Sequence, residues 1–134
     1  MRARLTDKNV GQSKPIDMNS ILIVEDEAII RFELVDFFED EGYCVHEAGN
    51  ADQAIAILAQ HSSIRVVLTD IDMPGSMDGL RLAHYIRERY PPTLLLLVSG
   101  RVSLPQSALP THSAFLSKPF DPARLMRTIE DMTR

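Results

Sequence analysis

With 134 residues, 45% of them apolar and 25% charged, the chain suits one globular domain and excludes two, or wholesale disorder. A formal charge of −5 argues against a dedicated nucleic-acid binder, whose affinity would rest on clustered Lys and Arg. No apolar run is long enough to span a membrane and no signal peptide follows the basic start, so a soluble cytoplasmic protein is expected.

Residues 1–18 mix Lys, Asn, Gly, Gln, Ser and Pro without an apolar period. They read as a mobile leader, with a short interaction arm as the alternative. The folded unit is expected over 19–134. Ile21–Val24 reads as a strand and Glu27–Glu41 as a helix, its face formed by Ala28, Phe32, Val35 and Phe38. Gly42 stops that helix. Tyr43–Glu47 is a short strand. Cys44, the only cysteine, is expected there as a small buried hydrophobe; a single cysteine excludes an intrachain disulfide and leaves no plausible cysteine-based zinc site.

Asn50 caps a helix carrying Ala54, Ile55, Ile57 and Leu58. Val66–Thr69 is the third strand, and a helix over about 78–89 follows a Gly- and Pro-containing loop and ends at Pro91-Pro92. Thr93–Val98 is apolar throughout, as a central parallel strand covered on both faces should be. Between Arg101 and Ser113, Pro105 and Pro110 limit the fourth helix to a short or irregular one. Ala114–Ser117 is the fifth strand. Asp121 caps a last helix with Pro122 at its first position, and Leu125, Met126 and Ile129 pack it.

Five strands alternating with helices make a doubly wound α/β fold, a flavodoxin-like parallel sheet in the order 2-1-3-4-5. That order gathers strand-end residues that lie far apart in sequence. Glu25 and Asp26 follow the first strand, Asp70 follows the third, Ser99 the fourth and Lys118 the fifth. Hard oxygen donors suit Mg²⁺, which Glu25, Asp26, Asp70 and the backbone carbonyl of Asp72 would hold. Asp70 is then a candidate nucleophile toward phosphorus, Lys118 a charge for a phosphoryl oxygen, and Ser99 a hydroxyl donor.

These segments resemble the receiver domain of two-component response regulators. The resemblance rests on Ile21-Leu22-Ile23-Val24-Glu25-Asp26-Glu27, Leu68-Thr69-Asp70-Ile71-Asp72-Met73-Pro74, Asp78-Gly79-Leu80, Leu97-Val98-Ser99-Gly100 and Phe115-Leu116-Ser117-Lys118-Pro119-Phe120. It implies that Asp70 accepts a phosphoryl group from a sensor histidine kinase or a histidine phosphotransfer protein, with Mg²⁺ or Mn²⁺ as cofactor. Ser99 and Phe115 take the switch positions, and Lys118-Pro119 the position of a cis peptide. Such a chain catalyses only its own phosphotransfer and autodephosphorylation and is not otherwise an enzyme.

Three departures are read beside the resemblance: a longer loop at 74–78, a shorter stretch from Ser99 to Lys118, and the expectation of no C-terminal effector or DNA-binding domain. A single-domain receiver, monomeric or weakly dimeric and signalling to an unknown protein target, is the expectation. The alternatives are a degenerate receiver acting as an interaction module and, on the Asp70-Ile71-Asp72 spacing alone, an aspartate-nucleophile phosphatase. Asp72 and Arg101 are expected to face each other across the site mouth. His46, His61, His84 and His112 show no metal-ligand spacing, and Phe32, Phe37 and Phe38 read as helix core.

Overall fold

The computed structural model describes residues 19–75, 77–100 and 104–133; the leader 1–18 and Arg101 lie outside them. In chain order the elements are β1 (Ser20–Val24), α1 (Ala28–Asp40), β2 (Cys44–Ala48), α2 (Ala51–Gln60), β3 (Val66–Asp70), α3 (Gly79–Arg89), β4 (Leu94–Ser99), a 3₁₀ turn (Gln106–Ala108), β5 (Ser113–Ser117) and α4 (Pro122–Met132). All strand pairs are parallel and the sheet order is β2-β1-β3-β4-β5. This is the flavodoxin-like doubly wound arrangement, with the switch point between β1 and β3. Among the described residues no helix is long and apolar enough to cross a membrane.

Strand alternation divides the interior into two cores. Ile21, Ile23, Val66, Leu68, Leu94 and Leu96 pack beneath α1 and α4 with Leu34, Phe38, Leu125 and Ile129. Leu22, Val24, Val67, Leu95 and Leu97 pack beneath α2 and α3 with Ala54, Leu58, Leu82 and Ile86. Every residue of β1, β3 and β4 is buried, which is why these strands read as continuous apolar runs. Asn50, Asp78 and Asp121 each accept a hydrogen bond from the first turn of the helix they cap.

Two expectations are corrected. Phe32 and Ala28, expected on the packing face, are not core: Ala28 is exposed and Phe32 is 72% exposed, beside Ile29 at 76%. Helix α1 carries apolar residues nearly all round, and the sheet selects the face of Leu34 and Phe38, half-burying Ile30, Val35 and Phe37. Phe38 is fixed edge-on between Phe37 and Tyr43. Cys44 is exposed rather than buried, because it starts β2, an outer strand of the sheet.

Among the described residues 104–112 before β5, one 3₁₀ turn stands where a fourth helix is expected by alternation. Arg87 on α3 ties this segment to the turn before β4, donating to the carbonyls of Thr111 at 2.8 Å and His112 at 3.0 Å in the segment and to those of Thr93 at 2.7 Å and Pro91 at 2.6 Å in that turn. His84, one turn earlier, lies 2.9 Å from the Ala108 carbonyl. A cation from a regular helix thus satisfies backbone groups that an irregular segment leaves over.

Candidate functional site

The carboxyl ends of β1, β3, β4 and β5 form one rim of the sheet, and the expected site residues meet there. Backbone pairing carries the rim past the last ladder residues: Ile71 N–H donates to Val98 O at 2.8 Å, and Lys118 N–H to Ser99 O at 2.7 Å. The Lys118-Pro119 peptide is cis.

Asp70 is the centre of the rim. It is buried, and its two carboxylate oxygens are held separately. Oδ1 accepts the Asp72 N–H at 2.9 Å, and Oδ2 accepts Lys118 Nζ at 2.7 Å. Lys118 also lies 3.8 Å from Glu25 Oε1. Burial alone would lower the Lys118 ammonium, but its hydrogen bond to Asp70 and the charges of Asp70, Glu25 and Glu27 outweigh this and raise it above its ordinary value.

Glu25 is buried too. Burial is the main cause that pushes its carboxyl up to about 7; Asp70 and Asp26 add to the rise, while the Glu27 N–H and Lys118 oppose it. Carboxylate oxygens of Glu25, Asp26 and Asp70 all lie within 4.8 Å of one another. Three acids therefore face one ammonium, and ionising all three leaves negative charge that a divalent cation would balance. An all-oxygen donor set of this kind suits Mg²⁺ or Mn²⁺ and not a thiophilic metal. Asp72, whose carbonyl was expected to complete the set, belongs to the same turn as Asp70.

Ser99 ends β4 and is fully buried. Its hydroxyl donates to Asp72 Oδ2 at 2.7 Å, so the Asp72 carboxylate engages the serine. Phe115 pairs with Leu97 on β5 and is half-buried against the core under α2 and α3.

Two contributors were not singled out from the sequence. Gly79, at the start of α3, comes so close to β3 that a Cβ would overlap the Asp70 carbonyl, and its N–H donates to Ile71 O at 3.0 Å. The Asp-Gly pair after the loop was visible, but its close approach to Asp70 was not. Arg31 on α1 donates to the Glu25 carbonyl at 2.8 Å and pairs with Glu47 at 3.0 Å, tying the acidic turn to β2. Nothing in the spacing of Arg31 announces this.

Residues 21–130 match the response regulator receiver domain. The chain is 36% identical over 118 residues to the response regulator receiver protein CpdR of Brucella abortus (strain 2308), covering 86% of this chain and 97% of that one. It is 32% identical over 120 residues to the sensor kinase CckA of the same organism, covering 84% of this chain; it spans only 12% of the kinase's length. Among solved structures, a chain of the CheX–CheY–BeF₃–Mg²⁺ complex of Borrelia burgdorferi superimposes with a TM-score of 0.77 at 26% identity, covering 86% of this chain and 89% of that one.

Proposed function

The chain belongs to the response regulator receiver domain family, and we propose that it accepts a phosphoryl group on Asp70 from a sensor histidine kinase or a histidine phosphotransfer protein. The observation that carries this reading is the meeting of Asp70 with Glu25, Asp26 and Lys118 at one rim of the sheet.

In this reading a carboxylate oxygen of Asp70 attacks the phosphorus of a phosphohistidine. The P–N bond breaks, and its electron pair leaves with the imidazole, which takes a proton from solvent. Lys118, already on Oδ2, meets one phosphoryl oxygen as the group arrives. Ser99 leaves Asp72 and donates to another, and Phe115 follows the hydroxyl inward. Glu25, Asp26, Asp70 and the Asp72 carbonyl would hold Mg²⁺ or Mn²⁺, which supplies the positive charge that lets acids and phosphoryl oxygens approach. A structural relative described with both BeF₃ and Mg²⁺ supports that assignment. The only chemistry is the protein's own phosphotransfer and the later hydrolysis of the aspartyl phosphate.

The partner approaches past α1, where Ile29 and Phe32 stand exposed. On the same helix a groove of about 480 Å³ is lined by Ile30, Glu33, Leu34, Lys118, Pro119, Phe120 and Pro122, so a mainly apolar surface adjoins the lysine bonded to Asp70. The signal then passes through protein contacts to a downstream target, in the cytoplasm.

Incubation with Mg²⁺ and acetyl phosphate, read by intact mass, tests the proposal. One labile phosphoryl adduct that Asp70→Ala abolishes is expected. Multiple turnover of small phosphate esters would indicate a phosphatase instead, and no adduct with any donor a phosphorylation-independent interaction module.

A further inference from the structure

Arg31 is the only basic residue of α1, and it stands near the start of that helix, where the helix dipole favours acids over bases. Its side chain turns back to the acidic turn before the helix. Nη1 donates to the Glu25 carbonyl at 2.8 Å and Nε to Glu47 Oε1 at 3.0 Å. Strand β1 ends at Val24, yet both backbone groups of Glu25 stay held. Its N–H donates to Ala48 O at 3.0 Å, on β2, and its carbonyl takes the guanidinium. The Glu25 carbonyl shares one rigid peptide plane with the Asp26 N–H. Fixing that carbonyl therefore sets the backbone from which the Asp26 carboxylate projects. The Glu25 carboxylate is anchored separately, Oε2 accepting the Glu27 N–H at 3.0 Å.

We propose that Arg31 is a positioning residue for the divalent cation, holding the Glu25–Asp26 turn in the geometry that Mg²⁺ requires. This rests on the reading of Glu25, Asp26 and Asp70 as the Mg²⁺ site. Among the described residues the ion pair of Arg31 is with Glu47, so it acts on the acidic set through the backbone and not as its counter-charge. A planar guanidinium reaches a carbonyl and a carboxylate at once, which the point charge of a lysine does not reproduce.

Charge and position predict opposite signs. As a bare charge, Arg31 repels a cation, and its removal tightens cation binding. As a positioner, it keeps the acids in register, and its removal weakens binding. The effect also depends on the ion. Mg²⁺ demands near-octahedral geometry, whereas Ca²⁺ accepts varied and flexible ligand sets. A loosened turn therefore costs Mg²⁺ more than Ca²⁺, a difference that a general loss of stability does not produce.

Calorimetric titration of the full chain with Mg²⁺ and with Ca²⁺ tests the proposal, after metal-free melting followed by circular dichroism has shown that each variant folds. Arg31→Lys and Arg31→Gln are expected to weaken Mg²⁺ binding by about tenfold, the low end for a lost outer-shell partner, and Ca²⁺ binding by less. Arg31→Lys keeps the charge, so its loss is one that charge alone does not give. Glu47→Ala, at a half-exposed residue, should weaken Mg²⁺ binding in the same direction, while Glu47→Gln keeps an acceptor for Nε and should not. Unchanged or tighter Mg²⁺ binding in the Arg31 variants, equal losses for Mg²⁺ and Ca²⁺, or equal losses from Glu47→Gln and Glu47→Ala would overturn the proposal. A wild-type chain that binds no Mg²⁺ would overturn the metal assignment itself, and this inference with it.

Discussion

Ser99 donates its hydroxyl hydrogen to Asp72 Oδ2 at 2.7 Å, while the Asp72 N–H is spent on Asp70 Oδ1 at 2.9 Å. One residue therefore contacts both the proposed phosphoacceptor and the proposed switch serine. For Ser99 to reach a phosphoryl group it must leave a charged acceptor. Asp72 is exposed, so this bond contributes about 1 kcal/mol, less than a buried bond to a charged group would. Asp72→Ala is expected to raise the steady-state phosphorylated fraction under limiting acetyl phosphate, with a several-fold shift in the equilibrium. Combining it with Ser99→Ala should erase the gain; phosphate-affinity gels read both.

Glu25 supplies the pH dependence. Burial raises its carboxyl from 4.5 to about 7, so between those values the folded protein binds more protons than the unfolded chain. Stability without metal should therefore fall as pH rises from 4.5 through about 7, since linkage lowers stability where the native state holds the extra proton. Urea midpoints across that range measure it, and Glu25→Gln should flatten the profile. The same sign makes Mg²⁺ stabilisation weaken as pH drops below about 7, because the cation requires the ionised acid.

Gly79 is a packing requirement of the site. A Cβ there would overlap the Asp70 carbonyl, so Gly79→Ala must push α3 away from the end of β3. A loss of about 1–3 kcal/mol in urea unfolding is expected, the usual range for overpacking, together with slower phosphorylation of Asp70. Gly75→Ala, whose Cβ meets nothing but whose φ is +116°, should affect stability without displacing α3.

The exposed pair on α1 separates partner docking from chemistry. Phe32 is 72% exposed, and an exposed substitution away from special features changes stability by roughly 0.5 kcal/mol or less. Phe32→Asp should leave phosphorylation by acetyl phosphate unchanged and slow transfer from the partner kinase. Equal rates from the kinase in both proteins would remove α1 from the docking surface.

What was legible in the sequence follows from burial. Strands covered on both faces appear as unbroken apolar runs, so β1, β3 and β4, with the acids at the ends of the first two and Ser99 at the end of the third, could be placed, and topology brought Glu25, Asp26, Asp70 and Lys118 together. The phase of α1 was not legible, because Ile29, Ile30, Phe32, Leu34 and Phe37 lie on several sides and only contact with the sheet chooses among them. Cys44 was misplaced although the 2-1-3-4-5 order already made β2 an edge strand: its apolar residue type was read as burial, whereas it sits exposed at the open start of that strand. Side-chain pairings across long separations, such as Ser99 with Asp72 or Arg87 with the carbonyls of 111 and 112, depend on three-dimensional approach that no periodicity encodes.

The central claim is that Asp70 is the residue phosphorylated. Borohydride reduction of the acetyl phosphate-treated, Mg²⁺-containing protein, followed by peptide mapping, tests it directly, since an aspartyl phosphate is reduced to homoserine. Homoserine at position 70 alone, absent when Mg²⁺ is chelated, is the predicted result. Homoserine at another acid such as Asp26 or Asp72, or none at all under conditions that phosphorylate a control receiver, would contradict it.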